Sequence, residues 1–351
     1  MDTRITVTHD LLAALEQELQ KVDFSSLFLL TDTNVERCVL PLIEPLLKKY
    51  DTPVIVIEAG EEHKNIDSLT RIWQALSEGG ATRSSLLVNL GGGVITDIGG
   101  FAAATFKRGI RYVNIPTTVL GAVDASVGGK TAVDFMGLKN EIGAFHKPIA
   151  VILSPQPLST LPRTEVLSGF AEIVKNSLIS SEEFYNRTLL TDPCEEPEKL
   201  FSLIEESVRF KEGITIEDPT EKGLRKILNF GHTAGHAFES WMLKRATPVT
   251  HGEAVANGML VAIILSHLHS SLPSEQIHIY SQNILKRYYR PIPFGCKDQD
   301  ELIRLMSHDK KNRTPSEVNF VLLEAVGSPI IDRPLTPADI RVALDIYSDL
   351  R

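Results

Sequence analysis

The sequence has few cysteines, no excess of basic residues and no apolar run long enough to cross a bilayer. Cys38, Cys194 and Cys296 are odd in number and far apart, so they form neither a disulfide framework nor a zinc-ribbon pattern. The longest apolar run, around residues 259–265, is too short for a transmembrane helix, and the N-terminal residues lack the apolar core of a signal peptide. These absences predict a soluble protein of the reducing cytoplasm that has no membrane partner.

The charge balance also limits the possible partners. The formal net charge is -9, which argues against a nucleic-acid-binding surface but still allows a local basic pocket for a small anion. No repeat of 20 to 50 residues is visible, so solenoids and propellers are excluded. At 351 residues the chain exceeds the length that a single core usually serves, and we expect two domains.

The two halves of the chain differ in their apolar patterns. Up to about residue 155, helical patterns alternate with strand-like runs, namely RITVT, LFLLTD, PVIVIEAG, LLVNLGGG, YVNIPTT and IAVILS. This alternation predicts a parallel α/β sheet. Later segments have mainly helical spacing, with one late strand in VNFVLLE and a last helix in DIRVALDIYSDL. We therefore predict a Rossmann-like parallel-sheet domain over residues 1–158 and a mainly α-helical domain over residues 159–351.

The fourth of these runs continues into a glycine-rich segment, LLVNLGGGVITDIGGF. A strand that enters glycines and then a helix suits a pyrophosphate, although a simple tight turn fits equally well, because Thr96 stands where the common dinucleotide fingerprint has its third glycine. Asp97 in the first helical turn is a cap, a ribose contact or both. Glu61, in the GEEHK segment after another strand, either accepts ribose hydroxyls or belongs to an ordinary polar loop.

The later half contains a cluster of histidines. His232 and His236 are four apart in LNFGHTAGHAFE, a spacing at which two imidazoles can share a metal, but Thr233 replaces the glutamate that a zinc protease needs. His251 follows in THGEAV, and Glu172 completes the ligand count of a catalytic zinc. These residues predict a metal site.

Charged side chains accompany this cluster. Glu172 and Lys175 are three apart in GFAEIVKNSLI, so they can meet on one helix face, either as a solvated ion pair or as a functional pair. Seven cations stand mostly beside glycine or asparagine: Arg108, Lys130, Lys139, Lys211, Arg225, Lys310 and Lys311. Such placement suits phosphate and carboxylate recognition, although each cation taken alone is more often solvated.

Taken together, the motifs resemble the 3-dehydroquinate synthase family of the sugar phosphate cyclase superfamily. The matching segments are GGGVITDIGGF, RGIRYVNIPTT, VDASVGGKTAV, LKNEIGAF, GFAEIVK, LRKILNFGHTAGHAFE, HGEAVANGM and DKKN. The resemblance implies a dehydroquinate synthase-like fold, a homodimer, NAD and Zn²⁺ or Co²⁺. It also implies conversion of 3-deoxy-D-arabino-heptulosonate 7-phosphate, an anionic sugar phosphate, to 3-dehydroquinate and phosphate in the shikimate pathway that leads to chorismate and the aromatic amino acids. The overall reaction is that of a carbon-oxygen lyase.

The resemblance also implies roles for individual residues. It assigns the metal to Glu172, His232 and His251, whereas spacing alone had suggested His232 with His236. The implied catalytic residues are Lys175, Asp124, Lys211, Asn229 and His236. The implied substrate contacts are Arg108, which would reach the neighbouring subunit's site, Lys130, Asn140, Arg225, Lys310 and Lys311. The implied NAD contacts are Asp32, Asn34, Glu61, Lys64, Gly92, Gly93, Val94, Asp97, Thr117, Thr118, Lys139 and Thr160.

The chain departs from the family pattern at three positions. Ser154 and Asp134 stand where aspartate and asparagine are usual, and Leu138 replaces a glycine.

Two other functions are the alternatives to dehydroquinate synthase. A metal-dependent polyol dehydrogenase would have no use for the cation cluster, which would be costly to desolvate without an anion. A cyclase of another sugar phosphate would have a substrate without a carboxylate, so Arg225 and Lys211 favour dehydroquinate synthase.

Overall fold

The computed structural model describes residues 3–307 and 317–350. Lys310 and Lys311, two of the expected substrate contacts, lie outside these residues. The chain divides into two compact units. The first comprises Met1–Val166 with Ile204–Glu212, and the second comprises Leu167–Leu203 with Gly213–Arg351.

The first unit is built on a parallel sheet. Its strands in chain order are β1 (Arg4–Val7), β2 (Leu27–Asp32), β3 (Val54–Ile57), β4 (Leu86–Gly91), β5 (Arg111–Pro116), β6 (Lys130–Phe135), β7 (Leu138–Phe145) and β8 (Ala150–Leu153). Six of them form one sheet in the order β1-β8-β5-β4-β2-β3, in which all neighbouring strands are parallel. The six predicted strands are confirmed.

Helices cover both faces of this sheet, and this explains the continuous apolar runs of its strands. The helices are α1 (Leu11–Gln20), α2 (Thr33–Cys38), α3 (Glu44–Lys49), α4 (Ile66–Glu78) and α5 (Gly93–Thr105). Alternate residues of β2 face opposite cores: Leu27 and Leu29 pack with α1, α2 and α3, whereas Phe28 and Leu30 pack with α4 and α5. The buried side chains of the first core are aliphatic, and those of the second are aliphatic and aromatic.

Strands β6 and β7 form a separate antiparallel hairpin that the apolar pattern did not predict. Its turn contains Met136 and Gly137, both with positive φ. Most residues of β7 are exposed, so the strand lacks the alternation that marks a half-buried strand. The turn and the cross-strand pairing define this element rather than burial.

The second unit is mainly helical, which confirms the predicted fold class. Its helices are α6 (Arg163–Ser180), α7 (Glu182–Leu190), α8 (Pro197–Glu217), α9 (His232–Lys244), α10 (His251–His269), α11 (Glu275–Tyr280), α12 (Lys286–Tyr288), α13 (Gln299–Ser307) and α14 (Pro337–Leu350), of which α6 and α8 also supply residues to the first unit. The late strand β9 (Val318–Ala325) is present, and it pairs with β10 (Ser328–Leu335), which was not predicted. Among the described helices, none has both the length and the apolarity needed to cross a bilayer.

Helix α10 forms the centre of this unit. It is buried almost continuously from Gly252 to Ser266, because its apolar residues occur on every face. A Cβ at Gly252 would lie 2.1 Å from Ser168 O in α6, and one at Gly258 would lie 2.2 Å from Gly231 O before α9. These close approaches bring the N-terminal part of α10 against α6 and α9, the helices that contain Glu172 and His232.

Candidate active site

The carboxyl edge of the parallel sheet gathers the residues that were expected to bind NAD. Asp32 ends β2, Glu61 and Lys64 follow β3, and Thr117 and Thr118 follow β5. The glycine segment follows β4, and the turn that ends at Thr160 follows β8. Ligands of open α/β sheets bind at this edge, so the topology places these predicted residues where a nucleotide site is expected.

The glycine segment forms a close turn between β4 and α5. Gly92 is the N-cap residue of α5, and no side chain caps this helix. A Cβ at Gly92 would lie 2.9 Å from the Thr118 methyl carbon, so the turn has room only for glycine. The Thr117 hydroxyl is buried and has no hydrogen-bond partner among the described residues. An uncapped helix start presents free N–H groups and a positive dipole end, which suit a phosphate.

Next to this turn, one buried lysine lies among three carboxylates. Lys64 Nζ is 2.8 Å from Glu61 Oε1, 3.5 Å from Asp97 Oδ2 and 3.7 Å from Asp134 Oδ1, and the lysine side chain is only 4% exposed. Burial raises the pKa of Asp97 to about 7, against the opposing effect of Lys64 and with a further rise from Asp124 and Glu61. Three carboxylates cannot all be satisfied by one ammonium group, so acceptor capacity remains for hydroxyl donors.

Two residues of the expected catalytic set meet within the first unit. Lys211 is buried, and its Nζ donates to the carboxylate and to the backbone O of Asp124. Other predicted residues of this unit, Lys130, Lys139 and Asn140 of the hairpin, have exposed side chains. Arg108, at the end of a short turn, is also exposed and has a φ of 69°. Their roles stay predictions.

In the second unit, three helices bring a carboxylate and two imidazoles together. Glu172 Oε1 lies 3.4 Å from His232 Nε2 and 3.5 Å from His251 Nε2. The Glu172 carboxyl is fully buried, and its Oε1 has no hydrogen-bond partner among the described residues. The ligand atoms of these three residues all lie within 4.8 Å of one another. This is a donor set of two nitrogens and one oxygen converging on one point.

The partners of Glu172 explain how a buried carboxylate is tolerated. Lys175 Nζ donates to Glu172 Oε2 over 2.5 Å, and this lysine is itself 2% exposed. Burial alone would raise the pKa of Glu172, but Lys175, His232 and His251 hold it well below its usual range. Burial lowers the pKa of His232, which keeps its imidazole neutral. Glu172 and Lys175 are therefore a buried pair and not a solvated surface pair.

His236 takes no part in this trio, although helical spacing alone paired it with His232. Its ring centroid is 5.3 Å from that of His232 and 6.1 Å from that of His251, and its side chain is exposed. The set that the structure gathers is the one that the family resemblance assigned. Its role as a ligand set stays a prediction.

A short helical turn before α9, Leu224–Asn229, positions two further predicted residues. Arg225 is 3% exposed, and its Nη1 donates to Pro219 O. Asn229 Nδ2 donates to Glu221 Oε1 over 2.7 Å, and both residues line a cavity of about 310 Å³. Sequence reasoning did not single out Glu221, and a lone glutamate in a polar segment gave no signal.

Comparison with known proteins is consistent with these features. Residues 54–168 match the family model described as 3-dehydroquinate synthase N-terminal, and residues 169–312 match the one described as 3-dehydroquinate synthase C-terminal. A 3-dehydroquinate synthase of Parabacteroides distasonis is 46% identical over 351 residues, which cover 99% of this chain and 98% of that protein. A 3-dehydroquinate synthase of Leptospira interrogans is 41% identical over 340 residues, which cover 96% of this chain and 93% of that protein.

A solved structure is similar over nearly the whole chain. It is 2-deoxy-scyllo-inosose synthase complexed with carbaglucose-6-phosphate, NAD⁺ and Co²⁺. The TM-score is 0.86 at 25% sequence identity, and the match covers 98% of this chain and 96% of that one.

Proposed function

The chain belongs to the 3-dehydroquinate synthase family, and from this premise we propose that it converts 3-deoxy-D-arabino-heptulosonate 7-phosphate to 3-dehydroquinate and phosphate. The observation that carries the proposal is the convergence of Glu172, His232 and His251 beside the buried Lys175. A redox-neutral phosphate elimination of this kind classes the enzyme as a carbon-oxygen lyase. We further propose a cytoplasmic homodimer, in which Arg108 reaches the site of the second copy.

The residues present fit a divalent metal. Two imidazole nitrogens and one carboxylate oxygen are the ligand types that Zn²⁺ and Co²⁺ accept, and three protein ligands leave positions open for a substrate. The Glu172 oxygen that faces both imidazoles has no hydrogen-bond partner among the described residues, although it is fully buried. A cation would provide a partner for this oxygen. A buried acceptor without a partner costs about 1–3 kcal/mol.

The first unit fits NAD. The uncapped start of α5 supplies N–H groups for the pyrophosphate. The buried hydroxyl of Thr117, which has no hydrogen-bond partner among the described residues, lies directly after the neighbouring strand β5. Glu61 and Asp97 supply carboxylate acceptors for ribose hydroxyls. Bound NAD would supply a reversible hydride acceptor, and a metal held by Glu172, His232 and His251 would supply polarisation of the substrate's hydroxyl groups.

The side chains of this chain bind and orient the substrate during the reaction. Lys175, held by Glu172, donates hydrogen bonds to the substrate hydroxyls. Arg225 pairs with the carboxylate through its planar guanidinium group, and His236 contacts the phosphate. Further polar contacts come from Asp124, Lys211 and Asn229. These contacts hold the substrate's own phosphate near the proton that must be removed. The phosphate can then act as the base in place of a protein side chain, because proximity accounts for much of the rate.

A direct assay tests this proposal. The purified protein is incubated with the heptulosonate phosphate, NAD and Zn²⁺, and phosphate release and the carbocyclic product are followed. We expect stoichiometric phosphate and 3-dehydroquinate without net NADH. Net NADH with a polyol would indicate a dehydrogenase. Turnover of a sugar phosphate without a carboxylate, in preference to the heptulosonate, would indicate another cyclase, an alternative supported by the similarity to 2-deoxy-scyllo-inosose synthase.

A further inference from the structure

The two histidines of the trio turn the same ring atom toward Glu172. His232 Nε2 and His251 Nε2 lie 3.4 Å and 3.5 Å from Glu172 Oε1. For Nε2 to act as a ligand, its lone pair must be free, so the ring proton of the neutral imidazole must reside on Nδ1. What faces each Nδ1 therefore decides how well the site is preorganised.

Each Nδ1 faces an acceptor, but the acceptors differ. His232 Nδ1 lies 3.2 Å from the backbone O of Phe230, a fixed group two residues earlier in the chain. His251 Nδ1 lies 3.8 Å from Glu239 Oε2, a side chain on a different helix. The first imidazole is oriented by the main chain. The second depends on Glu239, which ends the LRKILNFGHTAGHAFE segment but received no role in the sequence analysis.

Helix geometry explains why Glu239 is placed to do this. Glu239 lies seven residues after His232 in α9, which is two turns, so both side chains are on the same face of the helix. His251 is the first residue of α10, after the N-cap Thr250, and α10 packs against α9 near Gly258. One face of α9 thus supplies both a ligand and the carboxylate behind the other ligand.

We propose that Glu239 is a positioning residue that holds His251 in the tautomer and ring orientation whose Nε2 faces the metal site. The 3.8 Å between His251 Nδ1 and Glu239 Oε2 is longer than a direct hydrogen bond. The Glu239 side chain is only 18% exposed, and the proposal requires its carboxylate to close the remaining gap to His251 Nδ1. Carboxylates behind metal-binding histidines raise ligand basicity and fix the ring, and their loss commonly weakens metal affinity by about 10- to 100-fold.

The test measures zinc affinity of the metal-free protein by competition with a chromophoric chelator, with neither substrate nor NAD present. We expect Glu239→Ala to weaken Zn²⁺ binding by about 10- to 100-fold, and Glu239→Gln to weaken it less, because the amide oxygen still accepts a hydrogen bond. The matched control is Glu253→Gln. It removes the same charge from the first turn of α10, two residues from His251, in a side chain with no described ion pair to that histidine.

A second readout separates positioning from general stability. In ¹⁵N-labelled zinc-loaded protein, the proton on His251 Nδ1 should exchange faster with solvent in Glu239→Ala than in wild type, while the proton on His232 Nδ1 stays unchanged. Zinc affinity of Glu239→Ala within about 3-fold of wild type, or an equal loss in Glu253→Gln, would overturn the proposal. If the alanine variant fails to fold, the glutamine variant is measured against the same control, and a loss no larger than that of Glu253→Gln overturns the proposal.

The inference rests on the proposed metal site but not on turnover of the proposed substrate. Both readouts are obtained without substrate. A wild-type protein that binds zinc yet releases no phosphate would therefore contradict the proposed function and leave the role of Glu239 decided by its own measurements.

Discussion

The two units contain charge clusters of opposite construction. In the first, the buried ammonium group of Lys64 is surrounded by the carboxylates of Glu61, Asp97 and Asp134. In the second, the buried carboxylate of Glu172 is surrounded by an ammonium group and two imidazoles. The first cluster has surplus acceptors and is partly open, since Glu61 is 42% exposed, whereas the centre of the second is fully buried.

This difference indicates what each cluster can bind. Carboxylates accept hydrogen bonds and donate none, so the surplus in the first cluster suits a ligand rich in hydroxyl groups, such as a ribose. The second cluster directs imidazole lone pairs and one carboxylate oxygen at a single point, which suits a metal cation. We therefore expect the first unit to bind a polyol at this cluster and the second to bind a metal at the trio.

The largest expected effect comes from neutralising the centre of the second cluster. Glu172→Gln should abolish stoichiometric zinc binding and reduce kcat/KM by about 10³-fold or more, since the bound metal contributes several kcal/mol to catalysis. It should also destabilise the metal-free protein by roughly 3–5 kcal/mol, because Lys175 is left as an unpaired buried charge. Metal analysis and urea unfolding provide the measurements.

Chelation of the wild type is the control for this variant. Removing the metal should abolish activity without creating an unpaired lysine, and Zn²⁺ or Co²⁺ should restore it. Full zinc occupancy in Glu172→Gln would remove the ligand assignment and, with it, the contrast between the two clusters.

A slightly smaller effect is expected at Arg225, which is buried in the same unit as the metal trio. Its guanidinium group can pair with a carboxylate through two hydrogen bonds, so Arg225→Ala should cost about 2–4 kcal/mol of transition-state binding, or roughly 30- to 1000-fold in kcat/KM. The exposed Arg209, paired with Glu205 on α8, provides the control variant Arg209→Ala. An unchanged kcat/KM for Arg225→Ala would exclude the carboxylate role.

The first cluster should respond to pH rather than to metal. The folded-state pKa of Asp97 is raised from 3.8 to about 7, chiefly by burial, so the folded protein retains a proton that the unfolded chain releases. Stability from this proton is complete below about pH 4 and is lost as the pH rises through 7. Asp97→Asn should therefore remove this pH dependence. Across this window the unfolding free energy of the variant should change less than that of the wild type, by on the order of 1 kcal/mol or more. Parallel curves for the two proteins would contradict this.

The comparison also shows which parts of the molecule could be predicted from sequence. The six strands were predictable because helices cover both faces of the sheet, which requires continuous apolar runs. The β6–β7 hairpin was not, since β7 is largely exposed and follows no apolar period. Strand β10 was hidden in the same way, because Pro329 and Pro334 and its half-exposed residues contradict strand preferences.

Within the site, local spacing alone paired His232 with His236, which does not belong to the trio that the structure gathers. His232 and His236 share a helix face, yet the described geometry joins His232 to Glu172 and His251, on two other helices. That meeting depends on α10 approaching α6 at Gly252, a contact between residues 84 positions apart in the chain. No local pattern encodes such a contact. Residue types alone gave Glu172 and three histidines as candidates, and only the family resemblance separated the trio from His236 before the structure.

The smallest expected effect lies at Asp134, the residue that replaces the asparagine expected from the family pattern. Its Oδ1 accepts the backbone N–H of Asn140 over 2.8 Å and lies 3.7 Å from Lys64 Nζ, while its own N–H donates to Lys64 O. One carboxylate thus ties the hairpin to the first cluster. It also adds a negative charge to the first cluster, and we expect this charge to weaken binding of NAD, whose pyrophosphate is itself negatively charged.

Two substitutions at this position separate charge from hydrogen bonding. Asp134→Asn keeps an acceptor for the Asn140 N–H but removes the charge, so we expect NAD to bind roughly 2- to 5-fold more tightly at low salt, with the gain shrinking as ionic strength screens it. Asp134→Ala removes both, so the hairpin segment of Lys139 and Asn140 loses an anchor and the KM for substrate should rise. Calorimetric titration with NAD at two salt concentrations and steady-state kinetics measure the two effects. Equal NAD affinities in wild type and Asp134→Asn would show that Lys64 already neutralises the charge of the first cluster. The two clusters, around Lys64 and around Glu172, would then differ only in their exposure.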